Sequence, residues 1–389
     1  MKREDNELLT QVGPGTPCGE MLRRYWWPIA TSAEVKDKPL PVRVLGEDLV
    51  MFRDPEGRVG LLARACAHRG ASLEYGRVEE CGLRCCYHGW VFDVEGRCVE
   101  QPMEPPGSTL KNRVRQKAYV TREAGGLLFA YMGPLPAPLF PRYDVLFETR
   151  GRRAVWGRDV HNNWLQATEN PLDPYHVMVT HASIYPELAM TRPEVTWKEM
   201  WYGVQMDSVD EQNGFSERYH HVFPGAVRVN VQRVGQESCQ YIIWQTPRDD
   251  QSTVAWFAWS SESKEPPHQL TTGDYQKTVS GEWRRVDDGW WGLWERDQDD
   301  AVITSQGIIA DRTQEHLGAS DKGIVLYRKM LKNAIDAVAK GKDPAGVLRK
   351  KEQDVPINFD TWKRGLGAKP GRVRRKSKGD ELKIIAPFA

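Results

Sequence analysis

Two short segments of the chain combine cysteine and histidine in a way that can bind iron and sulfide. Cys66 and His68 are separated by one residue, Cys85 and His88 by two, and 16 residues lie between the pairs. Two thiolates can hold one iron of a [2Fe–2S] cluster while two neutral imidazoles hold the other, and this mixed ligation raises the reduction potential. Because each pair lies on one tight loop, each loop can give one ligand to each iron. The interleaved order of cysteine and histidine therefore predicts a [2Fe–2S] site.

The neighbouring residues favour this cluster over a zinc site. A zinc finger usually presents its cysteines together and its histidines together, at different spacing. Here Gly70 and Gly89 follow the two pairs, and glycine allows the backbone to wrap closely around sulfurs that need N–H donors. The alternative, unrelated cysteines and histidines in β loops, explains the interleaved order poorly.

A second constellation follows further along the chain, where Asp173, His176 and His181 form a D-x-x-H-x-x-x-x-H pattern. A helix with about 3.6 residues per turn can bring the two histidines towards one face, with some strain at this separation. Two imidazoles and one carboxylate form a facial triad, which leaves open positions on Fe(II) for O₂. Standing alone, two such histidines are more often ordinary residues, so this prediction depends on the cluster site that precedes it.

The carboxylate of such a triad has to come from a distant part of the chain. Asp297, Asp299 and Asp300 lie together in the segment Trp294-Glu-Arg-Asp-Gln-Asp-Asp. Their spacing alone leaves all three open as ligands.

The elements that would position the first site are short strands. Strands are predicted at 42–45, 49–52, 59–65, 90–93, 97–100 and 127–131, separated by turn residues. A Pro-rich stretch from Gly133 to Pro141 indicates a linker after this small all-β domain. Before it, residues 19–27 are predicted as a helix that ends at Pro28.

The remainder of the chain mixes helices with long alternating strands. A helix with breaks at Pro171 and Pro174 is predicted from Asn163 to Ile184, and another from Asp321 to Lys340, with Gly341 past its end. Strands are predicted at 226–234, 238–246 and 253–259. An antiparallel sheet with helices collected around it is an α+β pattern.

The composition argues against several classes of function. With 54 basic and 53 acidic residues, the formal net charge of +1 gives no field that attracts nucleic acid or a membrane. We find no signal peptide and no long apolar run, so we expect a cytoplasmic protein. Four of the seven cysteines lie between Cys66 and Cys86, which in a reducing compartment is typical of metal binding. The basic residues between Lys363 and Lys378 predict a solvated arm, with docking of an acidic partner as the alternative.

The segments Cys66-Ala-His-Arg-Gly-Ala-Ser-Leu and Cys85-Cys-Tyr-His-Gly-Trp resemble the two Rieske boxes of aromatic ring-hydroxylating oxygenases. The resemblance extends over nearly the whole chain and is greatest to the phthalate-dioxygenase-like branch, which includes O-demethylases of lignin-derived biaryls. It implies that Cys66, His68, Cys85 and His88 bind the cluster. Cys86, where the family usually has proline, is then a non-ligand.

The same resemblance assigns roles in the second constellation. It implies that His176, His181 and Asp299 bind a mononuclear iron. Asp173 would bridge His176 to the cluster edge of a neighbouring subunit, since a carboxylate often supports a ligating imidazole. Two further side chains would face the iron pocket, Asn170 and Gln166. For both amides, the alternative is a helix face with water partners.

The resemblance also implies a fold, an activity and partners. The α+β chain would comprise an N-terminal all-β Rieske domain and a C-terminal helix-grip-like catalytic domain, an antiparallel sheet with helices. The predicted division is 1–40, a helical segment packing with the catalytic domain, then 41–140 and 141–389. We expect a terminal oxygenase that uses O₂ to hydroxylate or O-demethylate a small aromatic compound. Because no dinucleotide fingerprint is present, electrons would come from NAD(P)H through a separate reductase, with or without a ferredoxin, to a ring that is commonly a homotrimer.

Two other classes of protein have to be weighed, although Asp173, His176, His181 and the aspartate-rich segment argue against both. The chain could be an electron-transfer Rieske protein with an inactive second domain, or a binding module that has lost its iron. The substrate is not defined by the sequence either. Arg228 and Arg233 are candidate clamps for a carboxylate but could equally be surface residues, and His220 and His221 are candidate cavity residues.

Overall fold

The computed structural model describes residues 1–147, 152–183, 185–186, 188–231, 239–261 and 295–364. Helices in these ranges are α1 Arg3–Thr10, α2 Pro17–Leu22, α3 Asp144–Phe147, α4 Trp164–Glu169, α5 Tyr175–Thr180, α6 Glu295–Ser305 and α7 Lys322–Ala339. Strands β1 to β10 are Trp26–Thr31, Leu40–Val44, Glu47–Arg53, Val59–Ala63, Arg77–Glu79, Gly82–Arg84, Val91–Phe92, Cys98–Glu100, Val120–Ala124 and Leu127–Tyr131. Strands β11 to β20 are Arg142–Tyr143, Arg152–Val160, Glu194–Met200, Gly203–Asp210, Phe215–Val222, Ala226–Val231, Cys239–Pro247, Thr253–Ser261, Pro356–Ile357 and Trp362–Arg364. Among these helices, none has the length and apolar character needed to cross a membrane.

Small antiparallel sheets make up the first part of the chain, as the short β runs predict. Strands β2, β3 and β4 form one sheet, β5 to β8 form a second, and β1, β10 and β9 form a third. The strands predicted in this region are confirmed, most of them within two residues at each end. Between the first two sheets, Phe52, Leu62 and Phe92 are buried in one cluster with Cys66 and Cys85. The sheets therefore enclose the residues that precede each cluster loop.

The helix predicted over 19–27 is wrong beyond Leu22, where α2 ends. The next residues form β1, which pairs antiparallel with β10 and buries Trp27 to 1% exposure. Bulky aromatic residues favour a half-buried strand as readily as a helix face, so the tertiary partner decides between them. Pro28 is tolerated because β1 is an edge strand of its sheet.

One large antiparallel sheet dominates the second part of the chain. Its strand order is β12-β18-β17-β16-β15-β14-β13, with β20 paired to β15. Because side chains alternate along a strand, Tyr241, Ile243 and Gln245 of β17 share one face. The intervening Ile242 and Trp244 are buried on the opposite face, in a core that includes Phe129 of β10. The predicted strands of this sheet are confirmed where the structure describes them, whereas 232–238 lie outside the described residues.

The helix predicted from Asp321 to Lys340 is confirmed as α7. Gly341 follows it with φ +71° and donates its N–H to the Val338 carbonyl, which ends the helix. The buried face of α7 packs against the N-terminal helices, where Leu331 shares a core with Leu22. The domain boundaries at 40 and 140 stay a prediction. Most of the basic segment from Lys363 to Lys378 lies outside the described residues.

Candidate functional site

Two equivalent loops carry the cysteine–histidine pairs. Gly70, with φ +77°, donates its N–H to the Cys66 carbonyl at 2.8 Å, and Gly89, with φ +73°, donates to the Cys85 carbonyl at 3.1 Å. Both glycines adopt a left-handed backbone conformation, which favours glycine over other residues. The same turn is thus built twice, and each copy carries a cysteine at its start and a histidine inside it.

The side chains on these loops are arranged as two pairs. The Cys66 and Cys85 side chains are buried, whereas His68 and His88 are partly exposed and their ring centroids lie 4.5 Å apart. His68 stacks on Trp90 at 4.2 Å, and its buried Nδ1 atom has no hydrogen-bond partner. In the described part of the chain, these residues do not form a set of three ligand atoms compact enough for one ion. Two separate pairs and an orphaned imidazole nitrogen fit a two-iron cluster better than a single zinc ion.

The structure distinguishes the two adjacent cysteines. Cys86 is exposed, and its Sγ lies 4.0 Å from the Ser72 carbonyl oxygen, whereas Cys85 points into the core beside Cys66. Burial raises the pKa of the Cys66 thiol to about 11, with a further contribution from Cys85. A bound iron would offset this cost, because a coordinating thiol is deprotonated by the metal.

Gln116 stabilises the first loop through hydrogen bonds to its main chain, a role that the sequence does not predict. Its Nε2 donates to the Ala63 and Ala65 carbonyls at 2.7 and 2.9 Å, and its Oε1 accepts from the Ala67 N–H at 2.7 Å. Three main-chain groups on both sides of Cys66 thus depend on one buried amide. Its position, 50 residues after Cys66, gave no local signal.

We expect Gln116→Leu to loosen the first loop and to shorten the lifetime of the cluster. Leaving these main-chain groups without a partner costs about 1–3 kcal/mol, so cluster loss should accelerate by about tenfold or more. The measurement is the decay of visible absorption during a chelator challenge, with Gln116→Glu, which keeps the acceptor, as an intermediate control. A decay rate equal to that of the wild type would contradict this role.

The second constellation lies on two short helices joined by a break at the predicted prolines. Helix α4 begins after Asn163, whose side chain accepts from the Leu165 N–H at 3.1 Å. Helix α5 begins after Pro174, and the Asp173 carboxylate accepts from the Tyr175 N–H at 2.9 Å. Because α5 ends at Thr180, His181 leaves the helical conformation. This end of the helix relieves the strain expected for two histidines five residues apart.

His176, His181 and Asp299 meet at one point. The Nε2 atoms of His176 and His181 lie 3.4 and 3.1 Å from Asp299 Oδ1, and one ligand atom from each residue lies within 4.8 Å of the others. Two imidazoles and a carboxylate match the donor set of a non-haem Fe(II) site with open positions. The three residues therefore fit a mononuclear iron.

The second ring nitrogen of each histidine is directed at an acceptor. His176 Nδ1 hydrogen-bonds to the main-chain carbonyl of Asp173, and His181 Nδ1 lies 2.9 Å from Gln298 Oε1. Both Nε2 atoms are thereby left to face Asp299. Burial alone would raise the pKa of Asp299, but the two imidazoles beside it hold this pKa below its ordinary value. The site thus keeps its carboxylate charged.

The other aspartates of the downstream segment are placed differently. Asp300 forms an ion pair with Arg158 of β12, which ties α6 to the large sheet. Asn170 donates to Asp299 Oδ1 at 3.3 Å, so this amide lies at the predicted pocket. The side chain of Asp297 lies outside the described residues.

The prediction that Gln166 faces the iron pocket is wrong. Its Nε2 donates to the carbonyls of Ile303 and Gly307 at 3.2 and 2.9 Å, and its Oε1 accepts from the Ala310 N–H at 2.9 Å. Gln166 therefore anchors the chain at and beyond the end of α6.

Among the other candidates, those that the structure describes do not line the cavity. Arg228 is buried and pairs with Asp144 at 3.0 Å, and His220 hydrogen-bonds with the Tyr202 hydroxyl. These side chains alternate with the cavity residues of their strands and face the opposite side of the sheet. His221 does not line the cavity either, and Arg233 lies outside the described residues.

A cavity of about 210 Å³ lies between the large sheet and the helices. His176, His181 and Asp299 form part of its wall. The sheet contributes mainly apolar and aromatic side chains, which are Val160, Tyr219, Val227, Val229, Tyr241, Ile243 and Phe257. Arg158, Glu217 and Gln245 add polar groups, so the ligand atoms open onto a space whose walls are mainly apolar.

Gln298 is a second residue whose role the sequence does not predict. It is fully buried and joins His181 to Ser183, accepting from the first and donating to the second at 3.2 Å. A signal was present, because Gln298 directly precedes the aspartate taken as a ligand. The partner of a buried amide, however, is set by the tertiary structure.

Comparison with known proteins gives consistent results. The Rieske [2Fe-2S] domain matches residues 25–120, and the "LigXa C-terminal domain like" family matches 288–362. The 5,5'-dehydrodivanillate O-demethylase oxygenase subunit of Sphingobium sp. is 37% identical over 90% of this chain and 84% of its own length. The phenoxybenzoate dioxygenase subunit alpha of Ectopseudomonas oleovorans is 36% identical over 87% of each chain.

A solved structure supports the fold. The NdmA QL mutant with theobromine from Pseudomonas putida CBB5 has a TM-score of 0.68 at 23% identity, covering 83% of this chain and 94% of that one. This likeness shows the fold alone, and it confirms the predicted α+β architecture with an N-terminal Rieske domain. Since relatives above 30% identity align along most of both chains, the chain belongs to the Rieske non-haem iron oxygenases, as the oxygenase subunit.

Proposed function

We propose that the chain is a terminal oxygenase in which a mononuclear Fe(II) site uses O₂ to hydroxylate or oxidatively O-demethylate an aromatic compound. The observation that carries the proposal is the convergence of three ligand atoms at the wall of an apolar cavity. The mononuclear iron would be held by His176, His181 and Asp299. The [2Fe–2S] cluster would be held by Cys66, His68, Cys85 and His88. When bound, the mononuclear iron supplies open positions at which O₂ meets the substrate.

The protein's own part is to hold these groups in place. The acceptors at His176 Nδ1 and His181 Nδ1 direct both Nε2 lone pairs towards the metal position. Asn170 donates to Asp299 Oδ1, which helps to fix the carboxylate beside the two histidines. Apolar side chains of the sheet line the space beside the ligands.

The cavity supports a small aromatic substrate. A cavity of about 150 Å³ with apolar walls is large enough for benzene, and this one measures about 210 Å³. Tyr219, Tyr241 and Phe257 line the cavity with aromatic rings, which suit a flat apolar substrate. The two relatives described above are named as an O-demethylase and a dioxygenase, which supports either reaction here.

Electrons would come from NAD(P)H through a separate reductase, with or without a ferredoxin, and reach the iron through the cluster. The oxygenase would assemble as a homotrimer in the cytoplasm. Asp173, whose main-chain carbonyl contacts His176 and whose carboxylate lies at the start of α5, would lie between the iron and the cluster of a neighbouring subunit. No nucleic acid or membrane partner is proposed.

The alternative is an electron-transfer protein with an inactive second domain. A domain released from catalysis has no reason to keep two imidazoles and a carboxylate within 4.8 Å of one another, each with a supporting hydrogen bond. The ligand geometry therefore favours the oxygenase.

A single-turnover experiment tests the proposal. The holoprotein is reduced with dithionite, freed of excess reductant and mixed with ¹⁸O₂ and a panel of methoxylated and unsubstituted aromatic compounds. We expect labelled hydroxylated or demethylated product from at least one compound, and none from His181→Ala, which keeps its cluster. Reoxidation of the cluster without labelled product across the panel would count against the proposal.

We expect Cys86→Ser to retain the visible and EPR signals of the [2Fe–2S] cluster. Cys86 is exposed and lies outside the hydrophobic core that contains Cys66 and Cys85. Cys85→Ser should lose these signals, because the variant lacks the buried thiolate that we propose as an iron ligand. The measurement is the visible spectrum of each purified variant, with iron content per chain. Survival of the cluster in Cys85→Ser and its loss in Cys86→Ser would reverse the assignment.

A further inference from the structure

Gln298 occupies an unusual position for an amide. It is fully buried, directly precedes Asp299 on α6, and extends its side chain to a different ligand, His181. Its Oε1 lies 2.9 Å from His181 Nδ1, and its Nε2 donates to Ser183 Oγ at 3.2 Å. Of two consecutive residues on one helix, Asp299 is therefore a ligand and Gln298 supports a different ligand of the same site.

The direction of the first hydrogen bond follows from the chemistry of the imidazole. His181 Nε2 lies 3.1 Å from Asp299 Oδ1, so this nitrogen faces the metal position and must offer its lone pair there. A neutral imidazole then carries its proton on Nδ1. The partner of Nδ1 has to be an acceptor, which the amide oxygen of Gln298 is.

The ligand itself fixes the orientation of the amide. A glutamine can be turned so that either its oxygen or its nitrogen faces a given partner, and the surrounding hydrogen bonds decide between the two. The Nδ1–H of His181 requires the amide oxygen, and the Ser183 hydroxyl, which can donate or accept, then accepts from Nε2. The side chain thus serves as an acceptor for the ligand.

The other histidine is supported differently. His176 Nδ1 hydrogen-bonds to the main-chain carbonyl of Asp173, an acceptor that no substitution removes. Only the support of His181 depends on the identity of a side chain. A change at Gln298 can therefore alter one ligand of the site while the other keeps its partner.

We propose that Gln298 is a positioning residue, which sets the tautomer and ring orientation of His181 and so couples this ligand to the helix that carries Asp299. The inference rests on the proposed function, because it takes His181 as an iron ligand. Its consequence is that α6 controls two of the three ligands at once. A ligating histidine that loses such a partner typically binds its metal 10- to 100-fold less tightly, by order of magnitude.

Two variants separate this role from simple packing. Gln298→Glu keeps an acceptor at the same reach, whereas Gln298→Met keeps the length and the volume but removes the strong acceptor. Ser305→Ala is the matched control, since Ser305 lies exposed on the same helix and its hydroxyl bonds to the Val302 carbonyl. The readouts are the Fe(II) dissociation constant by chelator competition and the EPR spectrum of the ferrous site with nitric oxide.

We expect Gln298→Met to weaken Fe(II) binding by about 10- to 100-fold and to change the EPR rhombicity. Gln298→Glu should bind Fe(II) within about threefold of the wild type, and Ser305→Ala should be unchanged. Equal weakening in the Met and Glu variants, or unchanged affinity and spectrum in Gln298→Met, would overturn the inference.

His181→Ala distinguishes this failure from a failure of the proposed function. If His181→Ala loses the mononuclear iron while Gln298→Met keeps wild-type affinity, only the positioning role is wrong. If His181→Ala retains all of its iron, the iron site itself has been misassigned, and the role of Gln298 is overturned with it.

Discussion

Asp299→Ala is expected to lower the iron content from about three to about two per chain while the [2Fe–2S] spectrum stays intact. Asp299 Oδ1 lies within 3.4 Å of both His Nε2 atoms, at the point where the three ligand atoms converge. Its removal leaves two imidazoles without the anion of the triad. Turnover should fall to background, because O₂ activation has no other site in this proposal. Iron per chain and product formation with a chemical reductant are the measurements.

Asp300→Ala is the matched control. Asp300 pairs with Arg158 rather than with the histidines, so its loss should weaken the attachment of α6 to the sheet. A lost charge-assisted hydrogen bond costs about 1.5–3 kcal/mol, which should appear as a lower melting temperature. Most of the mononuclear iron should remain. Iron loss in Asp300→Ala alone, with Asp299→Ala unaffected, would show that the wrong aspartate was chosen.

Rings assembled from two different inactive chains are expected to regain activity. One chain carries Cys66→Ser and lacks the cluster, and the other carries His176→Ala and lacks the mononuclear iron. If each cluster serves the iron of its neighbour, a head-to-tail ring of both chains contains junctions where an intact cluster meets an intact iron. Random assembly places such a pair at about a quarter of the junctions, so recovered turnover should approach about a quarter of the wild-type value.

Asp173→Asn examines the same transfer at one residue. Asparagine can still accept from the Tyr175 N–H, so the start of α5 should be preserved, but the negative charge is lost. We expect this variant to bind both metals and to accept electrons at the cluster. Transfer from cluster to iron should slow by about 10- to 100-fold, seen as delayed reoxidation of the cluster. Mixed rings that stay inactive, together with a wild-type rate in Asp173→Asn, would mean that electrons remain within one chain.

Local spacing explains what the sequence could predict. Each cysteine–histidine pair lies on one short turn that ends in a glycine with positive φ, so its spacing alone predicts the cluster ligands. Asp173, His176 and His181 are also close together in the sequence, so their spacing predicts a metal site. The helix from Asp321 to Lys340 was predicted because its period and its terminal glycine are properties of one segment.

Tertiary partners explain what the sequence could not predict. The spacing leaves three aspartates as candidates for the third ligand. The fold distinguishes two of them, because Asp300 pairs with Arg158 whereas Asp299 lies beside the histidines. Gln166 was assigned to the pocket, but its partners beyond α6 lie more than 130 residues away. Trp27 belongs to a strand because β10 lies beside it. In each case the deciding contact is distant in sequence.

The ratio of iron to acid-labile sulfide in the purified wild-type protein tests the central claim most directly. The protein is loaded anaerobically with Fe(II), cleared of unbound metal and analysed once its cluster spectrum is complete. Two histidines and one aspartate at the cavity wall, in addition to the cluster, predict about three irons for two sulfides in each chain. A ratio of two irons to two sulfides, at full cluster occupancy, would contradict the mononuclear iron site.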